Sequence, residues 1–160
     1  YGPRMLENDG RVISNFVVQA LQGEPITVYG RGDQTRSLCF VDDLICGLEM
    51  LMESPAHLTG PFNLGNPQEM TIEEIAREVL ACTHSTSQLQ FKPLPKDDPR
   101  RRKPAIDAAG QFLGWRPRVP LRKGLEATVA YFALRLASAE SATAAAKRKS
   151  RKRLTLANPG

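Results

Sequence analysis

Apolar residues recur at helical spacing in several stretches of this chain, and short β-branched runs lie between them. Val12, Phe16, Val17, Ala20 and Leu21 stand three and four apart and share one face of a helix. Gly23 stops that helix, and Glu24-Pro25 confirms the break. Ile26-Thr27-Val28-Tyr29 is a short strand by its β-branched and aromatic content. Gly30-Arg31-Gly32-Asp33 forms a tight turn, and Ser37 to Val41 is expected to be extended. Asp42 or Asp43 is expected to cap a helix with Leu44, Ile45, Leu48, Leu51 and Met52 on its apolar face.

The pattern continues in the second half. Pro61 to Leu64 reads as a buried strand running into a turn at Gly65. Thr71-Ile72-Glu73-Glu74 is a capping box, in which hydroxyl and carboxylate satisfy free backbone N–H groups reciprocally. The helix it opens buries Ile72, Ile75, Ala76, Val79 and Leu80. Leu89 to Phe91 is a further strand, and the proline- and charge-rich stretch 93–104 is a loop. A short helix spans 106–113 and ends at Gly114. A longer one spans 120–136, with Leu125, Val129, Phe132 and Leu136 inward. Residues 137–160 turn alanine-rich and then basic, and are expected to fray or be disordered.

Composition adds limits. A chain of 160 residues suffices for one domain with a core. The net charge of +5 is misleading, because Lys147, Arg148, Lys149, Arg151, Lys152 and Arg153 sit in the tail. The other 16 basic residues face 17 acidic ones, so the fold itself is near neutral. The basic run lacks interleaved aromatics for base stacking, so no specific nucleic-acid partner is expected. No run of 18 apolar residues occurs, so no membrane-spanning segment is expected. Cys39, Cys46 and Cys82 fit no metal or redox spacing, and read as plain thiols. No metal site is expected.

Candidate chemistry lies in three arginine-bearing segments. They are Gly10-Arg11, Gln34-Thr35-Arg36 after the glycine turn, and Asp97-Asp98-Pro99-Arg100-Arg101-Arg102-Lys103-Pro104. Arginine's planar fork matches phosphate oxygens, and loops converging on a cleft are where such forks act. An anionic ligand with two phosphates needs about this much positive charge. Exposed arginines are also ordinary solvated surface, so spacing alone leaves both readings open. Tyr29 fits either a ligand contact or a plain strand aromatic, and Trp115 fits core packing.

These segments together resemble the extended short-chain dehydrogenase/reductase family, and within it the UDP-glucuronate decarboxylases. The resemblance covers residues 1–136 and rests on YGPRM, GRVISNFVVQALQGEPITVYGRGDQTRS, VDDLICGLEMLM, GPFNLGNPQEMTIEEIA, DDPRRRKPAI and LGWRPRVPLRKGL. VYGxGxQTR and VDDL are shared widely among nucleotide-sugar epimerases and dehydratases. GRVxSNF, NLGNP and RRKPxI are closer to the decarboxylases.

The resemblance implies an α/β fold: the C-terminal, substrate-binding portion of an NAD(P)-binding Rossmann-type enzyme, with the N-terminal half missing. Bound NAD would oxidise C4 of the glucuronosyl ring, the β-keto acid would lose carbon dioxide, and NADH would reduce the 4-keto pentose. Tyr1 and Arg4 would lie beside the nicotinamide end of the cofactor, and Arg11 close to both substrate and cofactor. Arg36 would hold the UDP diphosphate, with Tyr29 and Gln34 nearby. Arg102 would act at the sugar as the catalytic residue, donating a proton, and its cation would also stabilise the enolate left by decarboxylation. The resemblance further implies a homodimer and a cytoplasmic location, or a Golgi membrane location if an anchor preceded the chain. Two departures stand out. Ala105 replaces the acid usual after the Lys-Pro pair, and neither GxxGxxG nor Tyr-x-x-x-Lys occurs in the 160 residues. The chain alone is therefore expected to be inactive. The alternatives are a UDP-sugar 4-epimerase or nucleotide-sugar 4,6-dehydratase fragment, or a non-catalytic product that binds UDP or a full-length subunit.

Overall fold

The computed structural model describes residues 1–157 apart from Asn8, Asp97, Asp98 and Arg100. At Glu140 and residues 143–157 it describes the backbone alone. The elements run α1 (Val12–Gln22), β1 (Ile26–Tyr29), β2 (Thr35–Ser37), α2 (Val41–Met52), β3 (Glu69–Thr71), α3 (Ile72–Thr83), β4 (Leu89–Lys92), α4 (Asp107–Leu113) and α5 (Leu121–Ala157). β1 pairs in parallel with β4, Ile26 opposite Leu89 and Tyr29 opposite Lys92. β2 pairs antiparallel with β3, Arg36 opposite Met70.

One core holds α1, α3, α5 and β1 together. Ile13, Phe16, Val17 and Ala20 of α1 meet Ile75, Ala76 and Val79 of α3, Leu125 and Phe132 of α5, and Ile26 and Val28 of β1. Each fully buried Val, Leu, Ile or Phe contributes about 1.5–3 kcal/mol relative to exposure. Strand alternation sends Ile26 and Val28 into this core and leaves Thr27 and Tyr29 on the other side. Gln19 of α1 occupies the free edge of β1, accepting the Thr27 N–H at 3.0 Å and donating to the Thr27 hydroxyl at 3.1 Å.

The caps follow the sequence in three helices, Gly114 ending α4 at φ 66°. Gly23 ends α1 in the left-handed region at φ 70°, where its N–H satisfies a helix carbonyl. Thr71 and Glu74 form the full capping box of α3. α2 differs. Its N-cap is Phe40, and neither aspartate caps it. Asp43 instead turns inward and accepts the N–H groups of Arg118 and Val119 at 3.0 and 2.9 Å. The indole N–H of Trp115 donates to the Asp43 carbonyl at 2.9 Å, so Trp115 is the core residue its position suggests.

Two other expectations are corrected. The strand expected at 61–64 is irregular backbone, because no neighbouring strand pairs with it among the described residues. The stretch expected to be extended, 37–41, is so at Ser37, which ends β2 against β3, and at Phe40, while Val41 already opens α2. The apolar face of α2 is open: Ile45, Leu48 and Met52 are 47%, 43% and 85% exposed. α5 is helical to Ala157, past the alanine-rich stretch. Alanine's high helix propensity accounts for that continuation.

Candidate functional site

A cavity of about 570 Å³ opens on the side of β1 that faces away from the core. Its walls bring together Arg11, Tyr29, Gln34, Arg36 and Arg102, residues spread over some ninety positions of sequence. Three local devices set its shape.

The first is the glycine turn between β1 and β2. Gly32 sits at φ +77°, and a Cβ there would approach the Val28 and Glu73 side chains at 3.2 Å. Its carbonyl accepts the N–H of Glu73, and the Gln34 carbonyl accepts that of Ile72, so the turn is bolted to the start of α3. Gln34 is buried, and its amide donates to the Tyr29 carbonyl at 2.7 Å. That bond closes the turn on itself and fixes Tyr29 at the rim, 44% exposed.

The second device is the start of α1. Asp9 accepts the backbone N–H of Arg11 at 3.1 Å and also takes the Ser14 hydroxyl. The Arg11 side chain is 76% exposed and lies 3.6 Å from the Asp9 carboxylate. Arg11 thus stands at the cavity edge beside the positive end of a helix dipole.

The third is the β2–β3 ribbon with the segment that crosses it. Arg36 donates through Nη1 to the carbonyls of Thr35 and Pro99, both at 2.8 Å. Glu69 of β3 accepts from the Thr35 hydroxyl at 2.8 Å, from Arg101 Nε at 2.7 Å and from Arg101 Nη2 at 2.5 Å. Lys103 Nζ lies 3.9 Å from the same carboxylate. The Arg101 guanidinium and then the Thr35 hydroxyl hold the Glu69 carboxyl down, from 4.5 to about 2. Asn63 donates to the Ala105 carbonyl at 3.2 Å. Asp97, Asp98 and Arg100, part of the same arginine-rich run, lie outside the described residues.

Tyr1 and Arg4 are placed elsewhere. The Tyr1 ring packs edge-on against Phe40 at 5.5 Å, and its hydroxyl donates to the Leu121 carbonyl at 3.2 Å. Burial pushes that hydroxyl's pKa up. Arg4 is exposed at φ 71° and does not line the cavity. The first turn of a dinucleotide cradle is a strand, a glycine-rich bend and a helix N-terminus. Among the described residues the glycine bend at 30–33 leads into β2 instead. Burial raises the Cys39 and Cys82 thiols, the opposite of an activated nucleophile. No group of His, Cys, Asp and Glu suited to a metal ion occurs among the described residues. No described helix is long and apolar enough to cross a membrane.

Sequence reasoning missed Asp9, Asn63 and Glu69, which touch the loops that carry the arginines. Their contacts are long-range or lie in turns, and no periodicity marks them. The one available signal was charge: Glu69 precedes a capping box that makes no use of it.

Known proteins share this architecture. Residues 1–65 match the NAD dependent epimerase/dehydratase family. Over 136 residues the chain is 52% identical to UDP-glucuronic acid decarboxylase 1 of Danio rerio, covering 85% of this chain and 32% of that protein. It is 53% identical to UDP-glucuronic acid decarboxylase 4 of Arabidopsis thaliana, with 85% and 30% covered. Among solved structures it resembles UDP-glucose 4-epimerase with UDP-glucose from Thermotoga maritima, at TM-score 0.81 and 30% identity, covering 85% of this chain and 44% of that one. It also resembles UDP-glucuronic acid 4-epimerase from Bacillus cereus in complex with UDP-glucuronic acid and NAD, at TM-score 0.76 and 27% identity, with 82% and 41% covered. The chain has the α/β fold of these enzymes, and its residues 1–65 match the NAD dependent epimerase/dehydratase family. Its curated relatives at about half identity are UDP-glucuronic acid decarboxylases, and the chain spans about a third of their length.

Proposed function

We propose that this chain is the substrate-binding part of a UDP-glucuronate decarboxylase and that the Arg11–Arg36–Arg102 cavity takes the UDP-sugar. The observation that carries the reading is the convergence of three arginines from separate segments on one cavity of about 570 Å³. That volume lies within the range of small-molecule sites. A nucleoside diphosphate sugar is anionic at the diphosphate, and glucuronate adds a carboxylate at the far end. Guanidinium groups spaced along a cleft suit both charges.

Within this reading Arg36 holds the diphosphate, with Tyr29 and Gln34 shaping the wall beside it. Arg102 stands at the sugar, where a fixed cation orients the carboxylate and stabilises negative charge that develops as carbon dioxide leaves. Arg11 adds charge at the junction of substrate and cofactor. Redox chemistry in the family comes from NAD. Tyr1, Arg4 and Arg11 supply at most the edge of that site. The 160 residues hold no Tyr-x-x-x-Lys pair, so the polypeptide by itself binds substrate and does not turn it over. Pairing of two subunits in the complete protein belongs to the same reading.

A second reading, a UDP-sugar 4-epimerase, draws on the fold match to UDP-glucose 4-epimerase. The two differ in the sugar. Competition titration of UDP-glucuronate against UDP-glucose separates them. A decarboxylase site prefers UDP-glucuronate by about tenfold or more, the worth of one charged contact. Equal affinity for both sugars favours the epimerase.

A further inference from the structure

Arg101, Arg102 and Lys103 close a run of four cations that starts at Arg100, yet these three do not face the same way. Arg101 and Lys103 both reach Glu69, at 2.5 and 3.9 Å, while Arg102 lines the cavity. Successive side chains of this irregular segment thus leave the chain on different sides. Alternation alone does not choose the register. A shift by one residue would turn Arg101 and Lys103 toward the cavity and Arg102 away.

Glu69 makes the choice. Its side chain is only 16% exposed, and it is pinned by the Thr35 hydroxyl within the β2–β3 ribbon. It offers Arg101 both carboxylate oxygens, the fork-on-fork geometry that gives direction as well as attraction. Asn63 holds the far end of the segment at the Ala105 carbonyl. We propose that Glu69 is a positioning residue that selects which cation of the 101–103 run enters the cavity, admitting Arg102 by engaging Arg101 and Lys103. Glu69 does not line the cavity itself and acts through the residues it engages. The ligand arm of this proposal rests on the UDP-sugar reading. The register arm does not.

The register arm is read without ligand, from backbone 15N order parameters of residues 101–103 in the 160-residue protein. A fixed segment gives values near 0.8, and a freed one falls below about 0.6. Glu69→Gln and, from the other side, Arg101→Gln both free the segment. The charge-exchanged pair Glu69→Arg with Arg101→Glu fixes it again. Order parameters unchanged in both single variants would overturn the proposal, as would failure of the exchanged pair to restore them.

The ligand arm uses UDP-glucuronate and UDP as probes. In the parent, Arg102→Ala weakens UDP-glucuronate about tenfold and UDP hardly at all, while Arg101→Ala, which frees the segment but keeps Arg102, weakens UDP-glucuronate by less. In the Glu69→Gln background the two arginines become interchangeable, so the Arg102→Ala penalty shrinks. A penalty of the same size in both backgrounds contradicts register selection. A parent that binds neither probe overturns the UDP-sugar reading instead, and the order parameters still decide the role of Glu69.

Discussion

Asp43 and Val119 meet through a single hydrogen bond, Oδ2 accepting the backbone N–H at 2.9 Å. The other oxygen takes the N–H of Arg118 at 3.0 Å, and the Asp43 carbonyl takes the Trp115 indole. One residue at the start of α2 thereby anchors the segment that leads into α5.

Asp43→Asn tests this anchor. An amide has one accepting oxygen, so its NH2 group must face one of the two N–H donors. A buried donor left without a partner costs about 1–3 kcal/mol. Urea unfolding followed by Trp115, the single tryptophan, should show a lower midpoint with little change in slope. An unchanged midpoint would mean that Arg118 and Val119 find other acceptors.

Gly32→Ala addresses the turn that shapes the cavity. At φ +77° an alanine is in the left-handed region, and its Cβ would press on Val28 and Glu73 at 3.2 Å. The expected loss is about 1–3 kcal/mol. UDP affinity should fall with it, because the same turn carries Tyr29 and Gln34. Stability lost with affinity retained would separate the turn from the site.

The Glu69 pair predicts a pH dependence with a definite sign. The folded carboxyl lies near 2, below its ordinary 4.5, because of the Arg101 guanidinium first and the Thr35 hydroxyl second. The depressed group stabilises the fold fully above pH 4.5, and that contribution is lost as pH falls toward 2. A 13C titration of the Glu69 carboxyl should find its midpoint near 2 in the parent. Arg101→Gln should move the midpoint back toward the ordinary value. A midpoint near 4.5 in the parent would mean the pair is open in solution.

The sequence exposes helices more readily than strands here, for a physical reason. α1 and α3 are local objects: the Phe16–Val17–Ala20 face, Gly23 and the Thr71–Glu74 box each act within one or two turns. The 61–64 segment depends on a neighbour that is distant in sequence, and its apolar character alone does not make it a strand. Asp43 looks like a cap because caps are common at that position. Its actual partners lie 75 and 76 residues away. Among the candidate site residues, Arg11, Tyr29, Gln34, Arg36 and Arg102 were legible as chemistry and by resemblance, and they share a cavity. Glu69 was invisible because it meets Arg101 across 32 residues of chain.

The account rests on the cavity being an anion site for a UDP-sugar, and Arg36 is the residue to remove. Calorimetric titration of UDP into the parent protein and into Arg36→Ala is the most direct measurement. The parent should bind one UDP. Arg36→Ala should weaken binding about thirtyfold or more, since a charged contact to phosphate in a partly enclosed site is worth about 2 kcal/mol or more. Equal affinity in parent and variant, or no binding of UDP by the parent, would contradict it.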